Sequence, residues 1–414
     1  MGSLGRAFSS FRAPGFGALW FSVGFNAQAN TIAFVVLSWL ALEHTNSPLS
    51  VAIVMTALQL PRLFLAYPIG VHSDRADRKS LLLRANAVGA VVMLIMAPLI
   101  GQAWFGLYGL ILLALLIGTV DAFEVTLANC CVFDVVGLDD AVNGFAHQQL
   151  SNRLFGVTGG ILGGWLLESI SSGAALLAMA ASYAISAAFM LGVPRTRPLA
   201  SAAEQDAPIG SNLIKAIKRI SAHRVLALFV GLGLAAEIFA YSSDVLVSGF
   251  AREVFRVGET EYGALISLRN AGGIVALLGL SVAARHIRIE AGALAACILF
   301  GGALIWFALS PIYNVAVPAM FLIGVAYASV DALLPVSVQK AVANEDRGAA
   351  SGLLICARGI GPVGQLEIGV LAGALGVAAT QLLNASVFLV ATLIAIALYL
   401  QPHKRAGVEQ ASDA

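Results

Sequence analysis

Charged residues are scarce in this sequence. Asp, Glu, Lys and Arg make up only 11% of its 414 residues, whereas hydrophobic residues make up 59%. A soluble chain of this length needs about a quarter of its residues charged, so the composition excludes a soluble globular protein. The formal net charge of +1 offers no basic surface, and no nucleic acid is expected as a partner. The sequence therefore predicts an integral membrane protein.

Cysteine and recognisable catalytic motifs are scarce as well. Of the four cysteines, Cys130 and Cys131 are adjacent, while Cys297 and Cys356 are isolated within apolar stretches. This spacing fits neither a metal site nor a disulfide framework. The chain also has no HExxH, GxSxG or Walker pattern, the motifs that carry metal, serine or nucleotide chemistry. We therefore predict no metal, no cofactor and no enzyme activity.

Long apolar runs dominate what is present. An α-helix needs about 20 apolar residues to cross a hydrocarbon core of roughly 30 Å, and twelve runs of suitable length occur along the chain. They cover residues 17–42, 50–69, 81–100, 105–136, 142–167, 174–193, 225–248, 263–283, 291–309, 313–336, 349–375 and 377–400. The predicted fold class is an all-α membrane protein with twelve transmembrane helices that contact the lipid bilayer.

One long polar connection, residues 194–224, divides these spans into two groups of six. It carries Lys215, Lys218 and Arg219 at helical spacing, which predicts a surface helix. We expect four segments along the chain: an N-terminal six-helix half (1–193), this linker, a C-terminal six-helix half (225–400) and a tail (401–414).

Short matches between the two groups of spans indicate an internal repeat. The matching residues are Gly118 with Gly324, Arg153 with Arg358, Gly156 with Gly361, and Gly159 with Gly364. Each pair is separated by about two hundred residues, as expected for a duplicated six-helix unit. The two halves are therefore expected to be pseudo-symmetric.

Basic residues are distributed unevenly between the two sides of the membrane. Eighteen of the 24 Lys and Arg residues lie in segments on the side of both termini, and only Arg252 and Arg256 lie on the other side. Cytoplasmic loops are enriched in Lys and Arg, so both termini and the linker are expected in the cytoplasm. The remaining four basic residues fall inside spans; they are Arg62, Arg153, Arg269 and Arg358.

The densest charge cluster is the run Gly-Val-His-Ser-Asp-Arg-Ala-Asp-Arg-Lys at residues 70–79, between the second and third spans. We predict that it forms a short, charged loop. It resembles the signature of the major facilitator superfamily: Gly, three residues, Asp, Arg, one residue, usually Gly, then two basic residues. The matching residues are Gly70, Asp74, Arg75, Arg78 and Lys79. Asp77, in place of the usual Gly, and the prolines at 61 and 68 resemble the bacterial exporter branch that includes the enterobactin and macrolide efflux proteins.

This resemblance implies two six-helix halves in a multi-pass protein of the bacterial inner membrane. It also implies that the charged run forms a latch that holds the inner gate shut. Asp134, near the cytoplasmic end of the fourth span, is the best acidic partner for Arg75 and Arg78. The alternative is that these charges only anchor helix ends among lipid headgroups.

Charged side chains inside the spans are the next feature, because each costs at least ~2.5 kcal/mol at the bilayer centre and is functional by default. The six acids are Asp121, Glu124, Glu237, Asp244, Asp331 and Glu367. In the family that the chain resembles, the first, fourth, seventh and tenth spans line a central cavity, which places the first five acids on the expected substrate path. We expect pairing with the four arginines across the cavity, which leaves about two carboxylates unpaired.

An unpaired, desolvated carboxylate takes up a proton more readily than one in water. We expect Glu124 and Glu237 to carry protons, with Asp121, Asp244 and Asp331 as alternates; the other possibility is that such acids are fixed ion-pair partners. The predicted substrate and proton pathway comprises Asn26, Gln28, Asn30, Asp121, Glu124, Arg153, Glu237, Tyr241, Asp244, Asp331 and Arg358.

The predicted function is secondary active transport by alternating access. We favour proton-coupled export of an amphipathic small molecule, a drug or a siderophore, by a monomer that uses the proton gradient. The glycines of the fifth span resemble the antiporter motif of the exporter branch but lack its proline. The alternatives are uptake of a polar or anionic solute bound by the four intramembrane arginines, a membrane receptor or scaffold, and a membrane enzyme.

Overall fold

The computed structural model describes residues 8–73, 76–195, 224–283, 288–340 and 357–401. Its regular structure within these ranges is helical. The first six long helices are α1 (Phe16–Thr45), α2 (Pro48–Ser73), α3 (Arg78–Met96), α4 (Gly106–Val136), α5 (Ala141–Ser169) and α6 (Ser172–Leu191). The second six are α7 (Val225–Val254), α8 (Glu259–Ala283), α9 (Ile289–Ala308), α10 (Tyr313–Lys340), α11 (Gly361–Leu375) and α12 (Val377–Leu400).

These helices confirm the predicted fold class. Ten of the described helices are long and apolar enough to cross a membrane. The other two are α5, which carries a polar run at residues 147–153, and α11, of which 15 residues are described. The predicted start of the eleventh span at residue 349 lies outside the described residues, as do the linker residues 196–223 and the tail from residue 402.

The same helix pairs pack in both halves. In the N-terminal half (α1–α6), α1 packs on α4, α5 and α6, and in the C-terminal half (α7–α12), α7 packs on α10, α11 and α12. Likewise α2 packs on α4 as α8 packs on α10, and α3 packs on α6 as α9 packs on α12. The halves meet where α5 packs on α8 and α2 packs on α11. The predicted two-half pseudo-symmetry is therefore present in the packing.

The glycines of the sequence repeat occupy equivalent close contacts. A Cβ on Gly118 of α4 would collide with the backbone carbonyl of α2 at Leu58, and a Cβ on Gly324 of α10 would collide with that of α8 at Arg269. A Cβ on Gly159 would lie 2.7 Å from the Gln28 carbonyl oxygen of α1, and one on Gly364 of α11 would lie 2.6 Å from the corresponding oxygen of Ile238 in α7. Small residues let these helix backbones approach closely.

The charged run at 70–79 is more helical than the sequence predicted. Helix α2 continues to Ser73 and α3 begins at Arg78, so the prediction of a ten-residue loop was wrong at both ends. Asp77 stands at the amino end of α3 with extended backbone and accepts a hydrogen bond from the Ser80 hydroxyl at 2.7 Å. Charged residues tolerate a helical turn where the chain enters the headgroup region, so charge alone does not mark a helix end.

Helix α7 departs from regular α-helical geometry in its middle. After an α-helical stretch, Arg224–Ala235, it passes through a π-helical segment, Ala236–Ala240, and a 3₁₀ segment, Tyr241–Leu246. A second π-helical segment, Phe250–Val254, ends it. Such interruptions mark functional positions in many helices. Three predicted pathway residues, Glu237, Tyr241 and Asp244, lie in this irregular stretch.

The contacts between the halves lie towards one end of the bundle. We call the end with the turns at 76–77 and 137–140 the loop end, and the end with the turns at 46–47 and 170–171 the opposite end. The Ser38 and Tyr262 hydroxyls share a hydrogen bond of 2.6 Å, and the Arg252 guanidinium donates to the Leu42 carbonyl oxygen at 2.9 Å. Both contacts join the halves near the opposite end, which is therefore closed.

Candidate functional site

Three of the four intramembrane arginines are bound to aspartates. The Arg62 Nη2 of α2 lies 2.8 Å from Asp121 Oδ2 of α4, and the Arg358 Nη2 lies 2.6 Å from Asp331 Oδ1 of α10. The Arg269 guanidinium of α8 contacts the Asp244 carboxylate of α7. Each pair joins residues of the same half. The expectation of pairing across the cavity was therefore wrong, because neighbouring helices within one half already bring these charges together.

Glu124 differs from these paired acids. It lies one turn after Asp121 on α4 and is 7% exposed. Its Oε1 atom is buried and accepts no hydrogen bond from any described residue, and the nearby Arg62 guanidinium is bound to Asp121 instead. Burying a carboxylate without a counter-charge is costly, and uptake of a proton removes that cost. Glu124 therefore has the surroundings expected of a proton-carrying group.

Glu237 lies at the wall of a cavity in the C-terminal half. The cavity is lined by residues that include Tyr241, Asp331 and Arg358. A Cβ on Gly361 would lie 3.5 Å from Glu237 Oε2 and 3.6 Å from Gln59 Oε1 of α2. Glu237 therefore lies where α7, α11 and the N-terminal half come together. Arg358, the cation that lines this cavity, is bound to Asp331.

Arg153 of α5 reaches into the C-terminal half. Its guanidinium carbon lies 5.0 Å from the ring centre of Tyr327 on α10. The Arg269 guanidinium lies 5.6 Å from the same ring, and the Tyr241 ring lies 4.4 Å from it. Cations are attracted to the face of an aromatic ring. Two arginines and two tyrosines thus form one cluster where the halves meet, which we call the arginine–tyrosine cluster.

The polar residues of α1 divide into two groups. Asn26 is fully buried and donates to Asn86 Oδ1 of α3 at 2.6 Å, while Gln28 donates to the Thr158 hydroxyl of α5 at 2.7 Å. These two side chains connect helices within the N-terminal half. Asn30 instead donates to Asp121 Oδ1 at 2.8 Å and therefore belongs to the Arg62 and Asp121 ion pair.

The charges of the predicted gate lie at the loop end. Arg78 Nη1 lies 2.9 Å from Asp134 Oδ1 and 3.1 Å from Oδ2. Lys79 donates to the Leu191 carbonyl oxygen, at the end of α6, at 2.9 Å. Gly70 lies in the last turn of α2, and residues 74 and 75, the predicted Asp and Arg of the signature, lie outside the described residues. The described part of the predicted gate thus connects α3 to α4 and α6.

Several residues that join the two halves were not identified from the sequence. Glu168 at the end of α5 accepts a hydrogen bond from the backbone N–H of Thr260 in α8 at 2.9 Å. Tyr262 and Arg252 join the halves as described above. Single polar residues near span ends are common in membrane proteins, so no pattern distinguished them. The sixth intramembrane acid, Glu367, accepts a hydrogen bond from Asn384 of α12 at 3.0 Å.

Comparison with known proteins identifies the fold. A family model described as the Major Facilitator Superfamily matches residues 19–365. The solved structure of the nucleoside transporter NupG superimposes with a TM-score of 0.67 at 16% identity, over 92% of this chain and 100% of that one. A bacterial homolog of the human lysosomal transporter Spinster, solved inward-facing and unoccupied, gives 0.69 at 15% identity, over 96% and 97%.

A human protein shares the same architecture. The human organic anion transporter MFSD10 superimposes with a TM-score of 0.63 at 17% identity, over 92% of this chain and 98% of that one. A search of curated proteins found no significant match to the sequence. At these identities the likeness concerns the fold, and it covers nearly the whole of each chain.

Proposed function

Because the chain belongs to the Major Facilitator Superfamily, we propose that it is a proton-coupled exporter of an amphipathic small molecule, a drug or a siderophore, that works by alternating access. The family and the transporters that share the fold point to transport rather than enzyme activity. The observation that carries the proton coupling is the buried carboxylate of Glu124, whose Oε1 atom has no hydrogen-bond partner among the described residues.

In this proposal Glu124 and Glu237 exchange protons with the two sides of the membrane in turn. Each lies near an arginine whose charge is already held by an aspartate, Arg62 for Glu124 and Arg358 for Glu237. A proton on either glutamate therefore removes a charge that no nearby cation balances. A bound substrate that occupies the space beside these glutamates, or uses their polar groups, favours release of the proton. Movement of the substrate is thereby coupled to movement of the proton.

The contacts between the halves support alternating access. The halves meet at the opposite end through the closely packed glycines of α5 and α8. Half of the Arg62 side chain surface is exposed although it lies in the middle of α2, which supports an open space between the halves at that level. The proposed cycle breaks the contacts at the opposite end and makes new ones at the loop end.

The distribution of basic residues supports an orientation for this cycle. With the loop end in the cytoplasm, the chain follows the positive-inside rule, and substrate enters from the cytoplasmic side of a bacterial inner membrane. The Arg78 and Asp134 pair then belongs to the cytoplasmic gate. We propose that the monomer carries out the whole cycle, because each six-helix half finds its partner within the chain.

The aromatic residues support an amphipathic substrate. Tyr241 and Tyr327 are partly exposed, with ring centres 4.4 Å apart, and both pack against the buried ring of Phe300. Aromatic rings with a polar tip bind molecules that are apolar on one side and polar on the other. The alternative, uptake of a polar solute held by four arginines, is less well supported because three of these arginines are bound to aspartates.

Everted membrane vesicles provide the test. Respiration acidifies their interior, and a fluorescent weak base accumulates there and is quenched. Addition of a substrate of a proton-coupled exporter releases protons and restores fluorescence. We expect recovery with at least one compound from a panel of macrolides, hydrophobic dyes and catecholate siderophores, and none in vesicles without the protein. Absence of fluorescence recovery with every compound contradicts proton-coupled export. Exchange of polar solutes alone also contradicts it and favours uptake of a polar solute. A receptor or scaffold would show neither fluorescence recovery nor solute exchange.

A further inference from the structure

We propose that the transported substrate carries an anionic group that Arg153 binds, so that the substrate class is amphipathic organic anions. The proposal rests on the proposed transport function and specifies its substrate. It derives from the charges in the middle of the bundle, where one cation differs from the other three.

The difference is the partner of each arginine. Arg62, Arg269 and Arg358 each form an ion pair with an aspartate. Arg153 is the one intramembrane arginine in the described part of the chain for which no acidic partner is found; its contact is the face of the Tyr327 ring. A cation in a membrane span is usually paired with an acid or with a ligand. Arg153 therefore has a charge available for an anion.

The position of Arg153 suits a transported anion. It lies on α5, in the N-terminal half, and its side chain passes beside Gly273 of α8, in the C-terminal half. A Cβ on Gly273 would lie 3.1 Å from Arg153 Cδ and 3.2 Å from Nε, so the missing side chain leaves room for the arginine. An anion bound by Arg153 thus contacts both halves at once. A ligand that contacts both halves can change the preference between their two arrangements.

The surroundings of Arg153 favour an anion with an apolar part. Tyr327 is partly exposed, and its ring lies 4.4 Å from Tyr241 and 6.0 Å from Phe300. Arg269, whose guanidinium lies 5.6 Å from the same Tyr327 ring, is bound to Asp244 and contributes little net charge. The arginine–tyrosine cluster therefore offers one unpaired cation beside an aromatic surface. A guanidinium binds a carboxylate or sulfonate through two parallel hydrogen bonds.

Binding to the purified full-length protein in lipid nanodiscs tests this proposal. The probes are matched sets on one aromatic frame: naphthalene carboxylate and sulfonate, the neutral naphthamide, and naphthylmethylammonium, with larger two-ring and three-ring homologues. The readout is the shift of the thermal unfolding midpoint with probe concentration. We expect the carboxylates or sulfonates to stabilise the wild-type protein, and the amides and ammonium compounds to have little effect.

Variants identify the residue responsible. Arg153→Gln should weaken anion binding by at least about tenfold, whereas Arg84→Gln, the same change on an exposed residue of α3, should leave it unchanged. Arg153→Lys keeps the charge and should retain part of the binding, which separates a lost contact from a folding defect. Stabilisation by cations or neutral probes instead of anions, stabilisation by none of the probes, or full anion binding by Arg153→Gln overturns the proposal.

This experiment is independent of transport direction and coupling, because nanodiscs hold no gradient. Anion binding that depends on Arg153, without fluorescence recovery in everted vesicles, would reject the proposed export and keep the substrate class. Recovery with cationic or neutral compounds alone would keep the export and reject the substrate class.

Discussion

The Glu168 carboxylate of α5 accepts a hydrogen bond from the backbone N–H of Thr260, in the first turn of α8, at 2.9 Å. A second contact runs the other way: Arg252 of α7 donates to the Leu42 carbonyl oxygen, in the last turn of α1, at 2.9 Å. Glu168 of the N-terminal half thus caps the positive end of α8, and Arg252 of the C-terminal half caps the negative end of α1. Both contacts must break when the opposite end opens.

The first prediction concerns this pair of caps. Glu168→Gln removes the negative charge from the amino end of α8, where an anion contributes about 0.3 to 1 kcal/mol. We expect a two- to fivefold shift, by that ~0.3 to 1 kcal/mol, towards the state that is open at the opposite end. Spin labels at the exposed residues Gln102 and Ile312 measure the change as an increased population of long distances. Glu253→Gln, on an exposed residue near the same end, should leave the distances unchanged. Equal distances in Glu168→Gln and the wild type would show that the cap does not hold this end closed.

The second prediction concerns the ion pair between α7 and α8. The Arg269 and Asp244 side chains are 11% and 19% exposed, so Arg269→Gln leaves a buried, unpaired carboxylate at a cost of about 3 kcal/mol. The double variant Arg269→Gln with Asp244→Asn should recover most of the loss. Arg62→Gln should cost less, about 1 kcal/mol, because half of the Arg62 side chain surface is exposed. Thermal unfolding in detergent measures all four proteins, and equal losses for the single and double variants would argue against a coupled pair.

The third prediction concerns the contact between α5 and α8. A Cβ on Gly164 would collide with the Glu259 carbonyl oxygen and would lie 3.1 Å from the Gly263 Cα atom. Gly164→Ala should therefore separate the two helices and reduce both transport and the thermal unfolding midpoint. Gly279→Ala is the matched control, because no atom lies within 4 Å of the added Cβ, and it should be neutral or slightly stabilising, since alanine favours the helix. Similar behaviour of the two variants would mean that close packing of α5 on α8 is not needed.

The fourth prediction concerns the loop end. Asp134→Asn removes the partner of Arg78, whose Nη1 atom lies 2.9 and 3.1 Å from the two carboxylate oxygens. We expect a clear loss of transport with an unchanged amount of protein in the membrane. Asp139→Asn, on a nearby exposed residue, should transport normally. If Asp134→Asn transports at the wild-type rate, the pair only anchors the ends of α3 and α4.

The fold was largely predictable from the sequence because a transmembrane helix must satisfy its own backbone hydrogen bonds and cover them with apolar side chains. The twelve apolar runs therefore correspond to helices, and the glycine repeat marked where helices pack closely. The irregular middle of α7 was not predictable. Its residues 236–246 contain neither glycine nor proline, the residues that usually mark a break in a helix, so nothing in the local sequence indicated the change to π and 3₁₀ geometry.

The candidate site was predictable in its residues and much less so in its pairings. Intramembrane charges are rare enough to single out Asp121, Glu124 and Glu237, but sequence does not give the rotation of each helix about its axis. That rotation decides that Arg62 meets Asp121 and leaves Glu124 alone. For the same reason Asn26 and Asn30, one turn apart on α1, have different partners: Asn86 of α3 and Asp121 of α4.

Transport in proteoliposomes tests whether Glu124 carries the coupled proton. The substrate is the compound that gives the strongest proton release in everted vesicles. For each protein we compare accumulation driven by an imposed pH gradient with exchange of labelled for unlabelled substrate at equal pH. Glu43→Gln, on an exposed residue, is the control and should match the wild type in both. Because glutamine resembles a permanently protonated glutamate, Glu124→Gln should keep the exchange and lose the gradient-driven accumulation. Full gradient-driven accumulation by Glu124→Gln would show that Glu124 does not carry the coupled proton.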